Sequence, residues 1–174
     1  MTFDPTVPKP ARESEAIMTQ MVLPPDTNAL HSAFGGRVME WIDIAAAIAA
    51  QRHCRTPVVT ASMDEVHFHA PIQLGWTAAL KARVLATFSS SLEVGVTVTA
   101  ENPFSGESRL TTTALLTFVA QNVDGSKGRV PPLLLETEAE RITFEEAKAR
   151  RAARLSRKRT TDSTWLRVLD LPPG

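Results

Sequence analysis

"GRVMEWIDIAAAIAAQRHC", residues 36–54, is the stretch that decides the fold. Alanines and long aliphatic side chains occupy most of its positions, so the apolar residues cover every direction of a helix instead of one stripe. Thr56 and Pro57 follow it and provide a stop signal, because proline disfavours helical backbone in the residue before it. The pattern predicts a helix of about five turns that is buried on most sides.

The segments on either side of this helix alternate between apolar and polar residues, as half-buried strands do. One candidate strand precedes the helix at residues 16–23 and ends at Pro24, because proline cannot donate to a sheet ladder. Four candidates follow the helix, at residues 58–70, 76–88, 92–101 and 108–121. The apolar face of the first of these changes phase near Asp64, which predicts a β-bulge. Their short connections predict antiparallel pairing.

One sheet and one wholly apolar helix predict an α+β protein in which a curved antiparallel sheet wraps round the helix, the hotdog fold. The outer face of that sheet would still carry Leu85, Leu115 and Val119, so we expect a second subunit to cover part of it. Thr137 and Glu140 have capping-box spacing and begin a predicted C-terminal helix at about residues 137–157. The predicted organisation is a flexible tail (1–15), the hotdog domain (16–132), the C-terminal helix segment (133–158) and a second tail (159–174).

The composition limits the classes of function. A chain of 174 residues most often forms one domain, and its 19 acidic and 19 basic residues leave no net charge to attract nucleic acid or an anionic membrane. Cys54 is the only cysteine, which excludes an internal disulfide and suits a reducing cytosol. Residues 1–20 lack the apolar core of a signal peptide, and no stretch is apolar enough to span a membrane, so we expect a cytoplasmic protein.

"DTNALHSAFGG", residues 26–36, comes directly before the apolar helix and is either an ordinary lead-in or part of an active site. Backbone N–H groups at a helix start lack partners within the helix, so they can bind a carbonyl oxygen that gains negative charge. Asp43 stands about two turns into the helix, where a carboxylate is costly unless it is paired, solvated or neutral. It is either a general base or one half of a polar flank with Glu40, and the pattern favours neither.

Several separate blocks of the sequence resemble the acyl-CoA thioesterases of the hotdog superfamily, including the brain-type acyl-CoA hydrolases. They are "LPPDTNALHSAFGGRVMEWIDIAAAIAAQRHC", "VVTASMDEVHFHAPIQLG" and "ETEAERITFEEAKARR", and together they extend over about residues 17–157. The resemblance implies hydrolysis of a fatty acyl-CoA to free coenzyme A (CoA) and a carboxylic acid. It implies no cofactor beyond the CoA moiety of the substrate.

The same resemblance implies roles for individual residues. Asp43 matches the acid that activates the attacking water, and Asn28 matches the amide that holds the water or the thioester carbonyl. In the family this pair comes from opposite subunits of a dimer. Gly35 and Gly36 match the glycines whose backbone polarises the carbonyl. Family members commonly assemble three dimers, so we expect a homohexamer.

Two further groups of residues are candidates for contacts with CoA. The resemblance places Ser89, Ser90 and Ser91 near the nucleotide or the pantetheine, although a plain hairpin turn explains them equally simply. Seven basic residues lie between Lys148 and Arg159, and some of them could bind phosphate, whereas a solvated helix end accounts for most.

Two other functions stay open at this point. "DTNALH" has the spacing of the Asp–x–Asn–Pro–x–His signature of (R)-specific enoyl-CoA hydratases, with Ala29 where proline is expected, and there Asp26 and His31 would be catalytic. A non-catalytic acyl-CoA binder could use the same cleft. His67 and His69 stand two apart on one strand without a third ligand, so we predict no metal site.

Overall fold

The computed structural model describes residues 4–158, without the side chains of residues 157 and 158. The order of its helices and strands is β1 (Lys9–Pro10), β2 (Ala16–Met21), α1 (Gly35–Cys54), β3 (Val58–Phe68), β4 (Thr77–Thr87), β5 (Ser91–Glu101), β6 (Ser108–Ala120), β7 (Leu133–Leu134) and α2 (Glu138–Lys158). The predicted tail at residues 159–174 lies outside the described residues. No helix within the described range is long and apolar enough to cross a membrane.

Five strands form one antiparallel sheet in the order β2-β4-β5-β6-β3, and this sheet curves round α1. Helix α1 contacts all five strands. The alternation in the sequence explains the arrangement, because the apolar positions of each strand face the helix, and Ile42, Leu80 and Phe118 are fully buried between them. The predicted hotdog fold is therefore confirmed.

Strand β3 contains the irregularity that the sequence predicts. Its pairing with β6 shifts register between Thr60 and Ser62 and again between Met63 and Glu65. The second shift includes Asp64, in agreement with the change of phase in its apolar pattern. Thr60, directly before the first shift, pairs with the buried Phe118 and points its hydroxyl towards α1.

Helix α2 begins with the predicted capping box, in which the Thr137 hydroxyl accepts from the Glu140 N–H and the Glu140 carboxylate accepts from the Thr137 N–H. The helix then crosses the outer face of the sheet. Arg150 binds the buried carboxylate of Glu93 at 2.6 Å, and Arg154 binds Asp64 at 2.7 Å. Helix α2 of the same chain thus covers some of this face, and coverage of another part by a second subunit stays a prediction. Two of the seven basic residues are thus paired with carboxylates of the sheet, and a solvated helix end for most of the seven stays a prediction.

Residues 4–15 differ from the flexible tail that the sequence predicts at residues 1–15. Strand β1 pairs with β7 in parallel, and Ala11 and Ser14 are buried. Lys9 donates from Nζ to the carbonyl of Arg52, at the end of α1. Residues distant in the sequence hold this segment in place. The segment itself is short and rich in proline, and it has no periodicity from which its order could be predicted.

Candidate active site

The loop between β2 and α1 folds round Asn28. The Asn28 side-chain oxygen Oδ1 accepts from the Leu30 N–H at 2.9 Å and from both the N–H and the hydroxyl of Ser32 at 3.3 Å. The side-chain amide can therefore not turn freely, because its acceptor atom is engaged. Its Nδ2 group donates to no described residue, which leaves two N–H donors for a ligand.

Helix α1 starts at Gly35 without a side-chain cap from Phe34. The first amides that bond into the helix are those of Arg37 and Val38, which both donate to the Phe34 carbonyl. The N–H groups of Gly35 and Gly36 have no partner in the part of the chain that the structure describes, as expected for the first turn of a helix. They are therefore available to bind a developing oxyanion.

A cavity of about 340 Å³ lies beside this helix start. Its walls include Ala33, Gly35, Val38, Phe68, His69 and Thr112. The lining is mainly apolar, and the ring of Phe68 stands 3.5 Å from the place where a Cβ on Gly35 would be. A glycine at this position keeps the amide accessible from the cavity side.

Asp43 lies further along α1 and is half-buried. Its Oδ1 accepts a hydrogen bond of 2.8 Å from the Thr60 hydroxyl, and it forms no ion pair with a described residue. Glu40 instead binds Arg37 at 2.6 Å and is exposed. The two acids therefore have separate partners, and the roles that the sequence leaves open for Asp43 stay predictions. Sequence reasoning missed Thr60, whose position on the helix-facing side of a strand was the available signal.

One protomer does not bring the two predicted catalytic residues into contact. Asp43 stands eight positions after Gly35, a distance of about 12 Å along the axis of an α-helix. Among the described residues, no hydrogen bond joins Asp43 to Asn28 or to the two glycines.

Ser89, Ser90 and Ser91 form the turn between β4 and β5, at the other end of the sheet. The carbonyls of Ser89 and Ser90 accept from the N–H groups of Val130 and Ala120. Ala120 pairs with the first residue of β3, whereas Phe68 beside Gly35 is the last residue of that 11-residue strand, about 30 Å away at the usual rise of a strand. Within a single protomer the serines and the glycine pair are thus far apart, and a role for the serines in binding substrate stays a prediction.

The residues of the hydratase alternative are not arranged as a catalytic pair. Asp26 accepts from the Leu23 N–H through Oδ2 at 3.0 Å and binds Arg37 through Oδ1 at 3.1 Å. His31 is exposed and adopts left-handed backbone with φ of 55°. No hydrogen bond or ion pair joins His31 to Asp26 among the described residues. Both oxygens of the carboxylate are occupied, so Asp26 is poorly placed to accept a proton.

Residues 4–158 contain no group of three or more His, Cys, Asp or Glu side chains that could hold a metal ion. His67 and His69 stack with their ring centres 6.2 Å apart, and His69 shares a hydrogen bond of 2.9 Å with the Thr113 hydroxyl. The two imidazoles therefore contact each other and the neighbouring strand.

An exposed apolar surface surrounds the candidate site. Strand β3 is an edge of the sheet, and Val59, Met63 and Phe68 along it are exposed. Met39 and Ile44 of α1 are exposed as well, in agreement with a helix that is buried on most of its sides but not on all. An edge strand with exposed apolar residues is typical of a surface that pairs with another chain.

Comparisons with known proteins show the family of this chain. The model of the thioesterase superfamily matches residues 30–104. The uncharacterised acyl-CoA thioester hydrolase YkhA of Bacillus subtilis is 42% identical over 85% of this chain and 86% of its own length. The chain belongs to the thioesterase superfamily. Within it, the chain is a member of the acyl-CoA thioester hydrolase group. Some members are longer, and this chain spans 30% of the rat acetyl-coenzyme A thioesterase, to which it is 31% identical.

Solved structures of the superfamily have the same fold as this member. A hexameric acyl-CoA thioesterase without ligand has a TM-score of 0.83 and 40% identity, with 87% of this chain and 97% of that one covered. The acyl-CoA hydrolase of Staphylococcus aureus, solved with butyryl-CoA, CoA and CoA disulfide, has a TM-score of 0.82 and 34% identity over 92% and 98% of the two chains. Variants of that hydrolase have been solved with Asp43, Asn28 or Thr60 of its own numbering changed to alanine. This chain carries the same residue types at the same numbers.

Proposed function

We propose that this protein hydrolyses fatty acyl-CoA thioesters to CoA and a carboxylic acid, with Asp43 activating the water that attacks the thioester. The single observation that carries the proposal is the state of the Asp43 carboxylate. It is half-buried on an apolar helix, it accepts only from the neutral Thr60 hydroxyl, and no cation neutralises it among the described residues. A carboxylate held in this way retains a free oxygen that can accept a proton.

The reaction needs a base and donors for an oxyanion, and it needs no cofactor. Asp43 removes a proton from water while the water oxygen bonds to the thioester carbonyl carbon. The carbonyl oxygen becomes an oxyanion and is stabilised by the Gly35 and Gly36 N–H groups. The carbon–sulfur bond then breaks, the CoA sulfur leaves with the electron pair, and protonated Asp43 returns the proton to it. Asn28 donates from Nδ2 to the water or to the carbonyl and so orients the two reactants.

We place this reaction in a site that two protomers share. Asp43 and the glycine amides of one chain are about 12 Å apart along the helix, too far to act on the same carbonyl group. The exposed apolar residues of α1 and of the edge strand β3 offer a surface through which a two-fold axis could bring Asp43 of the partner subunit to Asn28 and Gly35. We propose the dimer as the catalytic unit.

The larger assembly that we propose is three such dimers. Two structural relatives are described as hexameric thioesterases, one of them from Yersinia pestis. A closed hexamer would cover apolar residues that the isolated chain exposes.

Release of free thiol from acyl-CoAs of several chain lengths tests the proposed activity. Asp43→Asn keeps the size and the Thr60 contact of the side chain but removes its basicity, so kcat should fall by about 10²- to 10⁴-fold. Glu40→Gln, an exposed acid one turn earlier on α1, is the matched control and should retain wild-type turnover. Wild-type turnover by Asp43→Asn would exclude this aspartate as the base.

A second measurement distinguishes the hydrolase from the hydratase. A conjugated enoyl-CoA loses its absorbance when water adds across the double bond, and we expect no such loss. Asp26→Asn should abolish hydration if the protein is a hydratase, whereas in a hydrolase it should reduce thiol release much less than Asp43→Asn does. Binding of acyl-CoA without turnover would indicate a carrier instead.

A further inference from the structure

Arg37, on the first turn of α1, is not among the residues that the proposed mechanism uses. We propose that Arg37 is a positioning residue. It forms an ion pair with Asp26 and thereby fixes the position of the loop that carries Asn28 relative to the Gly35 and Gly36 amides. The inference rests on the proposed function, because it matters only if Asn28 and the glycine amides act on one substrate.

Asp26 is the residue at which this loop closes. Its Oδ2 accepts from the Leu23 N–H at 3.0 Å, and its backbone carbonyl accepts from the Phe34 N–H at 2.8 Å. The next pair inward, Thr27 and Ala33, forms an antiparallel bridge. Both ends of the loop are thus tied to Asp26, and Phe34 is the residue directly before the glycine pair. A shift of Asp26 would therefore move Asn28 and the helix start relative to each other.

Arg37 is the connection between Asp26 and the helix. Its Nε lies 3.1 Å from Asp26 Oδ1, and its Nη1 lies 2.6 Å from the Glu40 carboxylate. The Asp26 side chain is only 16% exposed, so the pair is less screened by solvent than an ordinary surface salt bridge.

The position of this cation contradicts the rules for helix stability. The N-terminus of a helix carries a partial positive charge and favours acids, but the first turn of α1 contains no acid, and it contains Arg37. Helix stability alone does not explain an arginine at this place. Its ion pair with a carboxylate from the preceding loop does, because the pair returns a negative charge to the helix start and ties the loop to it.

The consequence for the site concerns Asn28, two residues after Asp26. The three hydrogen bonds that Oδ1 accepts fix the side chain within the loop, and only the position of the whole loop decides where Nδ2 points. Misplacement of a reactant by about 1 Å can reduce a rate by about two orders of magnitude. The ion pair between Arg37 and Asp26 should therefore affect turnover more than it affects substrate binding.

A double-mutant cycle tests this inference with thiol release as the assay. Arg37→Met removes the ion pair but keeps most of the apolar stem, and Asp26→Asn removes it while retaining an oxygen for the Leu23 N–H. Each variant should lower kcat by about tenfold, with KM changed less than threefold. The double variant should be no slower than the slower single variant, because both changes break the same contact. Arg37→Lys should restore part of the loss, and Glu40→Gln is the control that releases the other partner of Arg37.

A merely structural role would give a different result. Loss of folded protein would reduce kcat and the number of CoA-binding sites together, so the stoichiometry of CoA binding is measured for each variant and should stay at the wild-type value. Any of three results would overturn the inference. The first is an unchanged kcat in Arg37→Met, and the second is a double variant in which the two single effects multiply. The third is a fall in the stoichiometry of CoA binding that matches the fall in kcat. In those cases an active wild-type enzyme leaves the proposed function intact, whereas an inactive wild-type protein overturns both.

Discussion

The two ends of helix α1 are built in opposite ways. At its first turn two glycines present amides that have no partner among residues 4–158, the preceding Phe34 provides no side-chain cap, and the neighbouring Phe34 and Phe68 are 59% and 53% exposed. At its last turn His53 and Cys54 are fully buried. The His53 ring shares hydrogen bonds of 3.2 Å with the Ser14 hydroxyl and the Pro131 carbonyl.

The last turn is also closed by segments from elsewhere in the chain. Lys9 donates to the Arg52 carbonyl, and the Arg52 guanidinium donates to the Glu15 carbonyl at 2.6 Å. Arg55 ends the helix in left-handed backbone and donates its N–H to the Gln51 carbonyl. The two ends of α1 therefore differ in function. The backbone N–H groups that have no partner among the described residues lie at the first turn, which we assign to catalysis. At the other end the polar groups are satisfied and stabilise the fold.

The largest effect that we expect follows from the proposal that two protomers share the site at the start of α1. Asp43→Asn and Asn28→Ala variants are each dissociated, mixed in equal amounts and reassembled. Random reassembly makes about half of the dimers mixed, each with one intact site of two, so the mixture should recover roughly a quarter of wild-type turnover. Each variant reassembled alone should stay nearly inactive. Absence of recovery, with mixed dimers verified by mass, would show that each site lies within one protomer.

The next effect belongs to the other end of the helix. His53→Ala removes two buried hydrogen bonds and leaves a cavity, so it should lower the free energy of unfolding by about 3 kcal/mol. The exposed His67 provides the control, because His67→Ala should change stability by less than about 0.5 kcal/mol. Denaturant unfolding at one protein concentration measures both. Turnover of the folded His53→Ala protein at low temperature should be unchanged, and a loss there would contradict the division between the two ends.

Gly36→Ala, at the first turn of α1, should have the opposite effect to His53→Ala, with activity lowered and stability kept. A Cβ on Gly36 would stand 2.7 Å from Cε1 of the Phe34 ring, which is exposed and can move. Alanine stabilises helices relative to glycine, so the thermal midpoint should stay the same or rise slightly. The added methyl group and the displaced ring obstruct access to the amide, and kcat/KM should fall about tenfold. A lower midpoint with unaltered kcat/KM would assign Gly36 to packing.

The smallest effect is the pH dependence of stability that His53 contributes. Burial lowers the pKa of the imidazole and outweighs the hydrogen bond to the Pro131 carbonyl, while Lys9 lowers it further and Glu13 raises it. The unfolded chain therefore binds a proton near pH 6.5 and the folded chain only at lower pH, so stability is lost as the pH falls from about 6.5 towards the folded pKa.

The contribution of this single group is limited to about 1.4 kcal/mol per pH unit. The thermal midpoint at constant protein concentration, measured from pH 7.5 to 5.5, should fall less steeply in His53→Gln than in the wild type. Equal slopes in the two proteins would show that other groups cause the dependence.

Several features of the fold could be predicted because their causes are local. The all-round apolar pattern of α1, the alternation in the strands, the phase change at Asp64 and the capping box at Thr137 each depend on neighbours within a few residues. The glycine pair could be proposed as oxyanion donors for the same reason, since the first amides of any helix lack partners within it.

The contacts that escaped prediction join residues far apart in the chain. Nothing near Glu93 in the sequence points to Arg150, and nothing near Ser14 points to His53. The division of Glu40 and Asp43 between Arg37 and Thr60 depends on which way each side chain points from the helix. Periodicity specifies a face of an element but not the element that packs against it.

The sequence by itself determined that a buried helix would be wrapped by an antiparallel sheet, because hydrophobic periodicity is a property of consecutive residues. It also determined which residue types stand at the helix start. Only the tertiary structure decided that Asp26 forms an ion pair with Arg37 and that the Asn28 amide donates to none of the described residues. These outcomes depend on the relative placement of separate elements, which long-range packing sets and no local pattern encodes.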